Sequence, residues 1–440
     1  MQNLRYLLTV LTIIGLNQWS TAQKTWSLSD CVNYAQEHNI SMQVSENNRR
    51  IQEHRVTQAK GDFLPNLYAG SNASYNMGRS ANPDNNSYFF DDNYQNSLYA
   101  QSSLAIFNGL KKQNTLRAQK YALKAGISSE QNTRNELILE VADCYYKLII
   151  SIDKENAAQE QLSLSEQQLQ RIEKFLEIGK ASEVERIEIK SQLSNDEYNL
   201  IIAENEVTFA RSNLYRVMNY KNTDSISPIK PPFIPLQTEV AMVDSVYTLA
   251  ANNLPRIKEE EARLAVAKYQ VSTARGDFMP SINMQAGIQS VYTDINDDPY
   301  KTQLKNNNNQ YISAYLSIPI FTRLNNRSEI KIAKINKSNQ QLQVEQTLQM
   351  VYRDIEQVCI NYNAALRLVN AAQEKLSYAS IAYQEMEKKF ELGLANTTEL
   401  FASQMRLLNA KNEFSQANAD LAIQGMWLSY FATGDALLSI

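Results

Sequence analysis

Gly61-Asp62-Phe63-Leu64-Pro65 returns almost unchanged as Gly276-Asp277-Phe278-Met279-Pro280. The echo reaches well past these pentapeptides. Ile106-Phe107 recurs as Ile320-Phe321, an offset of 320 − 106 = 214, and the glycine of Phe175-Leu176-Glu177-Ile178-Gly179 recurs in Phe390-Glu391-Leu392-Gly393 at 393 − 179 = 214. Leu214 falls on Leu428 at the same spacing. So constant an offset predicts two tandem copies of one structural unit, each far longer than a solenoid repeat of about 20–50 residues.

Residues 1–22 read as a secretory signal peptide, with Arg5, an apolar run over 6–16 and a small-residue exit at Ser20-Thr21-Ala22. The run is too short for a spanning helix, which needs about 20 apolar residues. Cys31 does not directly follow the apolar run, as a lipid-bearing cysteine would, so no lipid anchor is expected. Cys144 and Cys359 lie inside helical patterns and read as small apolar residues rather than a disulfide framework.

The 43 basic and 47 acidic side chains are mixed without blocks, which gives no footprint for nucleic acid. The only histidines, His38 and His54, have no ligand-spaced partners, so no metal site is expected. No GxGxxG or GxxxxGK[ST] loop is present, and no cofactor is implied. Nucleophile, base and paired-carboxylate patterns are likewise missing, and the chain does not read as an enzyme.

The ten prolines leave 84–227 and 320–440 free of proline. These stretches are rich in good helix formers. Val141, Tyr145, Leu148 and Ile152, then Leu169, Ile172 and Leu176, then Val207, Ala210, Leu214 and Val217 run at the three-and-four spacing of a coiled-coil seam. One helix over about 111–174 would be about 90 Å long. Gly179 then opens a turn and a second helix runs over about 182–219; a helix over 325–389, a turn at Gly393 and a return helix repeat the arrangement. Each copy thus contains a long antiparallel helical hairpin.

Before each helical hairpin lies a β-hairpin. Its strands are about ten residues long and alternate: Leu67, Ala69, Ala73 and Tyr75 against Asn66, Asn72 and Ser74, and Ile282, Met284, Ala286 and Ile288 against Asn283, Gln285 and Gln289. The texture fits a tilted outer-membrane strand or a soluble sandwich. Export, the lack of another long apolar run, and aromatics near the strand ends (Tyr75, Tyr88, Phe89, Phe90, Tyr94, Tyr292, Tyr300, Tyr311) favour the membrane barrel. Four strands cannot close one, because the smallest membrane barrels have eight and no open edge survives in lipid. An oligomer follows, with eight strands from two chains or twelve from three.

The chain resembles the TolC family of outer-membrane efflux and secretion proteins over nearly all of its mature length. The resemblance rests on Ser27-Leu28-Ser29-Asp30-Cys31-Val32 leading to Ala35 and Asn39, on both Gly-Asp-Phe-x-Pro turns, on Ile106-Phe107-Asn108-Gly109 and Ile320-Phe321, and on the two hairpin tips. It implies a mostly α fold with a membrane β part. Three chains would share a 12-stranded β-barrel, and their coiled-coil hairpins would form an α-barrel across the periplasm. It implies a passive exit duct in a Gram-negative outer membrane, a homotrimer in contact with outer-membrane lipid, a periplasmic adaptor (membrane fusion protein), and an inner-membrane pump of RND, ABC or similar class.

The division expected is 1–22 for the signal peptide and 23–218 for the first repeat, with strands about 66–76 and 97–107 and helices about 110–218. A Pro-rich linker spans 219–243. The second repeat covers 244–440, with strands about 281–292 and 310–321 and helices about 325–430.

Gly61, Asp62, Pro65, Gly276, Asp277 and Pro280 are expected where helix gives way to strand. At the hairpin tips the glycines are expected in left-handed caps. The resemblance makes Phe175, Ile178, Gly179, Ser182, Phe390, Leu392, Gly393 and Thr397 adaptor contacts. It carries a candidate periplasmic gate to Glu399, with Glu185 its weaker internal counterpart; either also reads as a solvated helix charge. The family type has a second aspartate where this chain has Ala402, so a double acidic ring is not expected. The competing reading is a periplasmic coiled-coil adaptor without a pore, but adaptors carry one hairpin and this chain has two.

Overall fold

The computed structural model describes residues 25–81, 87–90, 92–221, 226–230 and 241–436. The expected signal peptide, and Pro231, Pro232 and Pro235 of the expected linker, lie outside the described residues. The chain divides into two compact units: Met1–Ser45, Glu130–Leu254 and Met350–Ile440 form one, and Glu46–Ser129 with Pro255–Gln349 the other. Three helices run from one set of segments into the other, α2 (Ile40–Gly61), α3 (Lys111–Glu177) and α8 (Asn325–Glu391), whereas α6 (Pro255–Gly276) lies wholly in the second.

The second unit holds the sheet. Its strands are β2 (Tyr68–Asn76), β5 (Asn93–Asn108), β7 (Ser281–Thr293) and β8 (Asn308–Ser317), in the order β2-β5-β7-β8 and antiparallel throughout. Register places Gly70 opposite Tyr99, and Gly287 opposite both Gln101 and Tyr311. One face therefore collects Asn72, Gln101, Gln285, Gln289 and Ser313, and the other Ala73, Leu98, Met284, Ile288 and Ile312. No charged residue occurs in any of the four strands. A β-bulge between Ala105 and Phe107 lets β5 continue along the start of β7.

Three local expectations change. The fourth strand stops at Ser317, short of Phe321, because Ser317 pairs with Ser281, the first residue of β7, and the ladder has no partner beyond it. The loop expected over 77–95 contains a small ladder, β3 (Arg79–Ala81) on β4 (Tyr88–Phe90), with the Arg79 guanidinium 4.5 Å from the Tyr88 ring centroid. The loop over 293–309 contains a helical turn, α7 (Tyr300–Asn306). The buried Gln303 amide holds it, donating toward the carbonyls of Thr293, Asn296 and Asp298 at 2.8–2.9 Å and accepting from the Thr293 amide at 3.0 Å.

The first unit is helical apart from a short parallel pair, β1 (Thr25–Trp26) on β6 (Ser227–Pro228). It contains α1 (Leu28–His38), α4 (Glu183–Met218), α5 (Val243–Asn253), α9 (Thr397–Thr433) and the distal lengths of α3 and α8. At 67 residues each, α3 and α8 are about 100 Å long at 1.5 Å per residue. The seam expected on α3 and α4 is buried at Val141, Tyr145, Leu148, Ile172, Val207, Leu214 and Val217. The Tyr145 hydroxyl lies 2.9 Å from the Trp26 carbonyl and 2.6 Å from that of Ile229, which ties the short sheet to α3. In the second copy Tyr362, Ala365, Val369 and Ala372 pack against Ala417 and Leu421. Among the described residues no helix is long and apolar enough to cross a membrane.

Candidate functional site: the hairpin tips

The two tips are built alike from local chemistry. Helix α3 ends at Glu177, and Gly179 takes φ 69°, a left-handed turn that costs glycine nothing. The amides of Gly179 and Lys180 then close on the carbonyls of Leu176 (3.0 Å) and Phe175 (2.7 Å), satisfying the last turn of the helix. In the second copy Gly393 has φ 72°, and the amides of Gly393 and Leu394 reach Phe390 (3.1 Å) and Lys389 (2.8 Å).

Both return helices start in a capping box. The Ser182 hydroxyl accepts from the Glu185 amide at 3.2 Å, and Glu185 Oε2 accepts from the Ser182 amide at 2.6 Å. Asn396 and Glu399 repeat this at 2.8 and 3.1 Å. The two candidate gate carboxylates thus hold equivalent places, and each uses Oε2 on its own helix N-terminus. Asn396 is the cap, and Thr397, expected as an adaptor contact, is buried as the first helical residue. The pattern Asn-x-x-Glu before an apolar run was the signal for the cap.

The tips leave large apolar side chains in the open: Ile178, Val184, Leu392 and Leu394, with Leu392 74% exposed. The Arg171 guanidinium stands over the rings of both Phe175 and Phe390, 5.5 and 5.0 Å from their centroids. Of the residues expected to meet a partner, Phe175 and Phe390 are thereby brought together. Farther up the hairpin Asp196 is buried; its carboxylate accepts from Ser165 Oγ (2.5 Å), Gln192 Nε2 (2.8 Å) and Gln161 Nε2 (3.2 Å). A cavity of about 230 Å³ opens beside it, near Lys154, Asn199 and Asn409.

At the sheet the structure places Gly61 and Gly276 as the last residues of α2 and α6. The amides of Leu64 and Met279 bond back to their carbonyls at 2.9 and 3.0 Å, and Pro65 and Pro280 lie just ahead of the strands. Among the described residues no group of three His, Cys, Asp or Glu side chains could hold a metal ion. The arrangement provides ends, faces and seams rather than a reaction centre.

Comparison with known proteins agrees in scale. The sequence model described as "outer membrane efflux protein" matches residues 31–220 and 246–428. The outer membrane protein TolC of Salmonella enteritidis is 22% identical over 444 residues, covering 97% of this chain and 86% of TolC. SilC of Salmonella typhimurium, described as a probable outer membrane lipoprotein, is 23% identical over 443 residues, 94% of this chain and 92% of SilC. The Campylobacter jejuni CmeC outer membrane channel shares the fold, with a TM-score of 0.79 at 17% identity over 92% of this chain and 85% of CmeC.

Proposed function

The chain belongs to the outer membrane efflux protein family and is a passive exit duct of the outer membrane rather than an enzyme, and from that premise we propose that three copies assemble into one pore. Each chain supplies four strands to a twelve-stranded barrel, and the helical hairpins line a tunnel through the periplasm. Members of this family work with adaptors and inner-membrane pumps.

The observation that carries this reading is the sheet. It has one apolar and one polar face, and both edges, β2 and β8, lack a partner strand among the described residues. Such a sheet satisfies its backbone in lipid only when its edges are closed by further strands. Three copies give a bore wide enough to conduct, whereas eight strands fill with side chains. A poreless periplasmic adaptor gives no account of a sheet with this pair of faces.

In this reading the tips meet the adaptor through Phe175, Ile178, Gly179, Ser182, Phe390, Leu392, Gly393 and Thr397. Their exposed apolar neighbours support a protein contact. Glu399, and less strongly Glu185, contribute to the periplasmic gate with the carboxylate oxygen left over by the capping box.

Three measurements test the assembly and its parts. The chain should fractionate with the outer membrane as a heat-modifiable trimer that conducts in planar bilayers; a soluble periplasmic monomer overturns the proposal. Gly179→Pro or Gly393→Pro should abolish export while trimer still reaches the membrane. Glu399→Gln keeps the capping geometry but removes the charge, so block of the channel by multivalent cations should weaken; unchanged block removes Glu399 from the gate.

A further inference from the structure

The two copies build the same joint between a strand exit and a strand opening, but only one of the two joints is closed within the chain. In the closed joint the turn before β7 packs on the turn after β5. Gly276 and Gly109 are both buried. A Cβ on Gly109 would collide with the Gly276 carbonyl oxygen, and one on Gly276 would meet Lys111 Cγ at 2.5 Å and the Gly109 carbonyl oxygen at 2.7 Å. Lys111 is ion-paired with Asp277 across the joint. The exit itself uses two successive left-handed residues, Gly109 (φ 66°) and Leu110 (φ 62°), before α3 begins at Lys111.

The opening turn and the two left-handed exit residues of this joint reappear, uncovered, in the other halves of the repeats. Gly61-Asp62 opens β2 as Gly276-Asp277 opens β7, yet a Cβ on Gly61 meets nothing within 4 Å. After β8 the chain again takes two left-handed residues, Arg323 (φ 51°) and Leu324 (φ 67°), before α8 begins at Asn325, 325 − 111 = 214 residues on. Phe107 is half-buried beside β7, whereas its counterpart Phe321 is 76% exposed and Ile320 is 95% exposed. Among the described residues neither Asp62 nor Arg323 has an ion pair, whereas Lys111 and Asp277 pair with each other.

We propose that the exit after β8, residues 318–325, seats on the Gly61–Pro65 turn of a second copy of this chain, with Arg323 paired to Asp62 of the partner subunit. The sheet order identifies the occupant. β5 and β7 are antiparallel neighbours, which sets the end of one beside the start of the other. The two unpaired edges are β8 and β2, and adding the partner's β2 beside β8 continues the antiparallel order and repeats that placement.

The position of Lys111 is taken in the second copy by Asn325, which has no charge. The cation comes instead from Arg323, at the position where the first copy has Gly109. Arg323 carries a Cβ where Gly109 has none, so the exit stands farther from the partner's Gly61 than Gly109 stands from Gly276, and the long guanidinium side chain spans the wider gap.

The inference rests on the trimeric reading, and the test separates the two. Asp62→Cys and Arg323→Cys are introduced together into the full chain, which is purified as an oligomer and treated with a short bis-maleimide. A covalent three-chain band on a reducing denaturing gel is expected from the double variant and not from either single variant. Three chains by light scattering with no such band overturn the joint and leave the trimer standing; a wild-type monomer overturns both. Asp62→Arg should reduce SDS-resistant trimer severalfold, and adding Arg323→Asp should restore it. A double charge reversal no better than the single one also overturns the pairing.

Discussion

Tyr99 lies across Gly70 on the neighbouring strand, so closely that a Cβ at residue 70 would come within 2.6 Å of the ring. The second copy repeats the pair as Tyr311 over Gly287, at 2.7 Å. Each ring covers backbone that a glycine leaves bare, and the glycine leaves the ring flat against the sheet. Gly70→Ala and Gly287→Ala should each cost no more than about 1 kcal/mol, the low end for overpacking, because the contact is with the far end of a partly exposed ring that can swing aside. The temperature at which SDS-resistant assembly is lost measures this. Adding Tyr99→Ala to Gly70→Ala should recover part of the loss; strictly additive losses would show that the ring and the methyl group do not compete.

Arg171 joins the tips of the two helical hairpins through its stacking on Phe175 and Phe390. Each such contact is worth about 0.5–1 kcal/mol at an exposed site. Arg171→Ala should therefore speed amide hydrogen exchange over 174–182 and 389–396 several-fold while leaving exchange in the sheet as it was. Equal exchange in variant and parent would mean that the stacking does not hold the tips.

The Asp196 carboxylate is the common acceptor for Ser165, Gln161 and Gln192. Asp196→Ala strands three donors in a buried place, at about 1–3 kcal/mol for each that water cannot reach. The helical melting transition, followed by far-UV circular dichroism, should fall by several degrees, whereas Asp196→Leu should lose less if the donors can turn away toward the neighbouring cavity. A melting point unmoved by Asp196→Ala would remove the network from the account of stability.

Burial, and then the nearby charge of Asp30, pushes the Cys31 thiol from 9.0 up to about 12, and burial pushes Cys144 up to about 11. At pH 8 the thiolate fraction of Cys31 is then about a thousandfold below that of a free cysteine. A maleimide should leave Cys31 unmodified in the folded chain and modify it on denaturation. These raised values stabilise the fold fully below pH 9, and the contribution falls as pH climbs toward 12, where the unfolded chain ionises first. The melting point should accordingly drop between pH 9 and 11.

The repeats, the helical hairpins and the turns at Gly61, Gly179, Gly276 and Gly393 are legible in the sequence because each depends on neighbours in the chain: a period, a cap, a helix stop. Ser182-x-x-Glu185 and Asn396-x-x-Glu399 are local in the same way, and they give the two carboxylates a cap to serve whatever else they do. Thr25-Trp26 lying on Ser227-Pro228 is not local; only the folded helices bring segments 200 residues apart together. Gln303 folds a loop through carbonyls that no composition marks. The early stop of β8 is a property of its neighbour's length rather than of Ile318-Pro319-Ile320-Phe321.

The four strands carry no charged side chain on either face. In the pore proposed above, the length of wall that crosses the lipid then has no side chain charged at neutral pH, and so no fixed charge on which a membrane potential could do work. That section is electrically silent. Any dependence of the current on voltage, acidity or the sign of the permeating ion has to come from charges outside the strands, in the helices or in the segments that join β2 to β5 and β7 to β8, which carry Arg79, Asp92, Asp294, Asp298, Lys301 and Lys305.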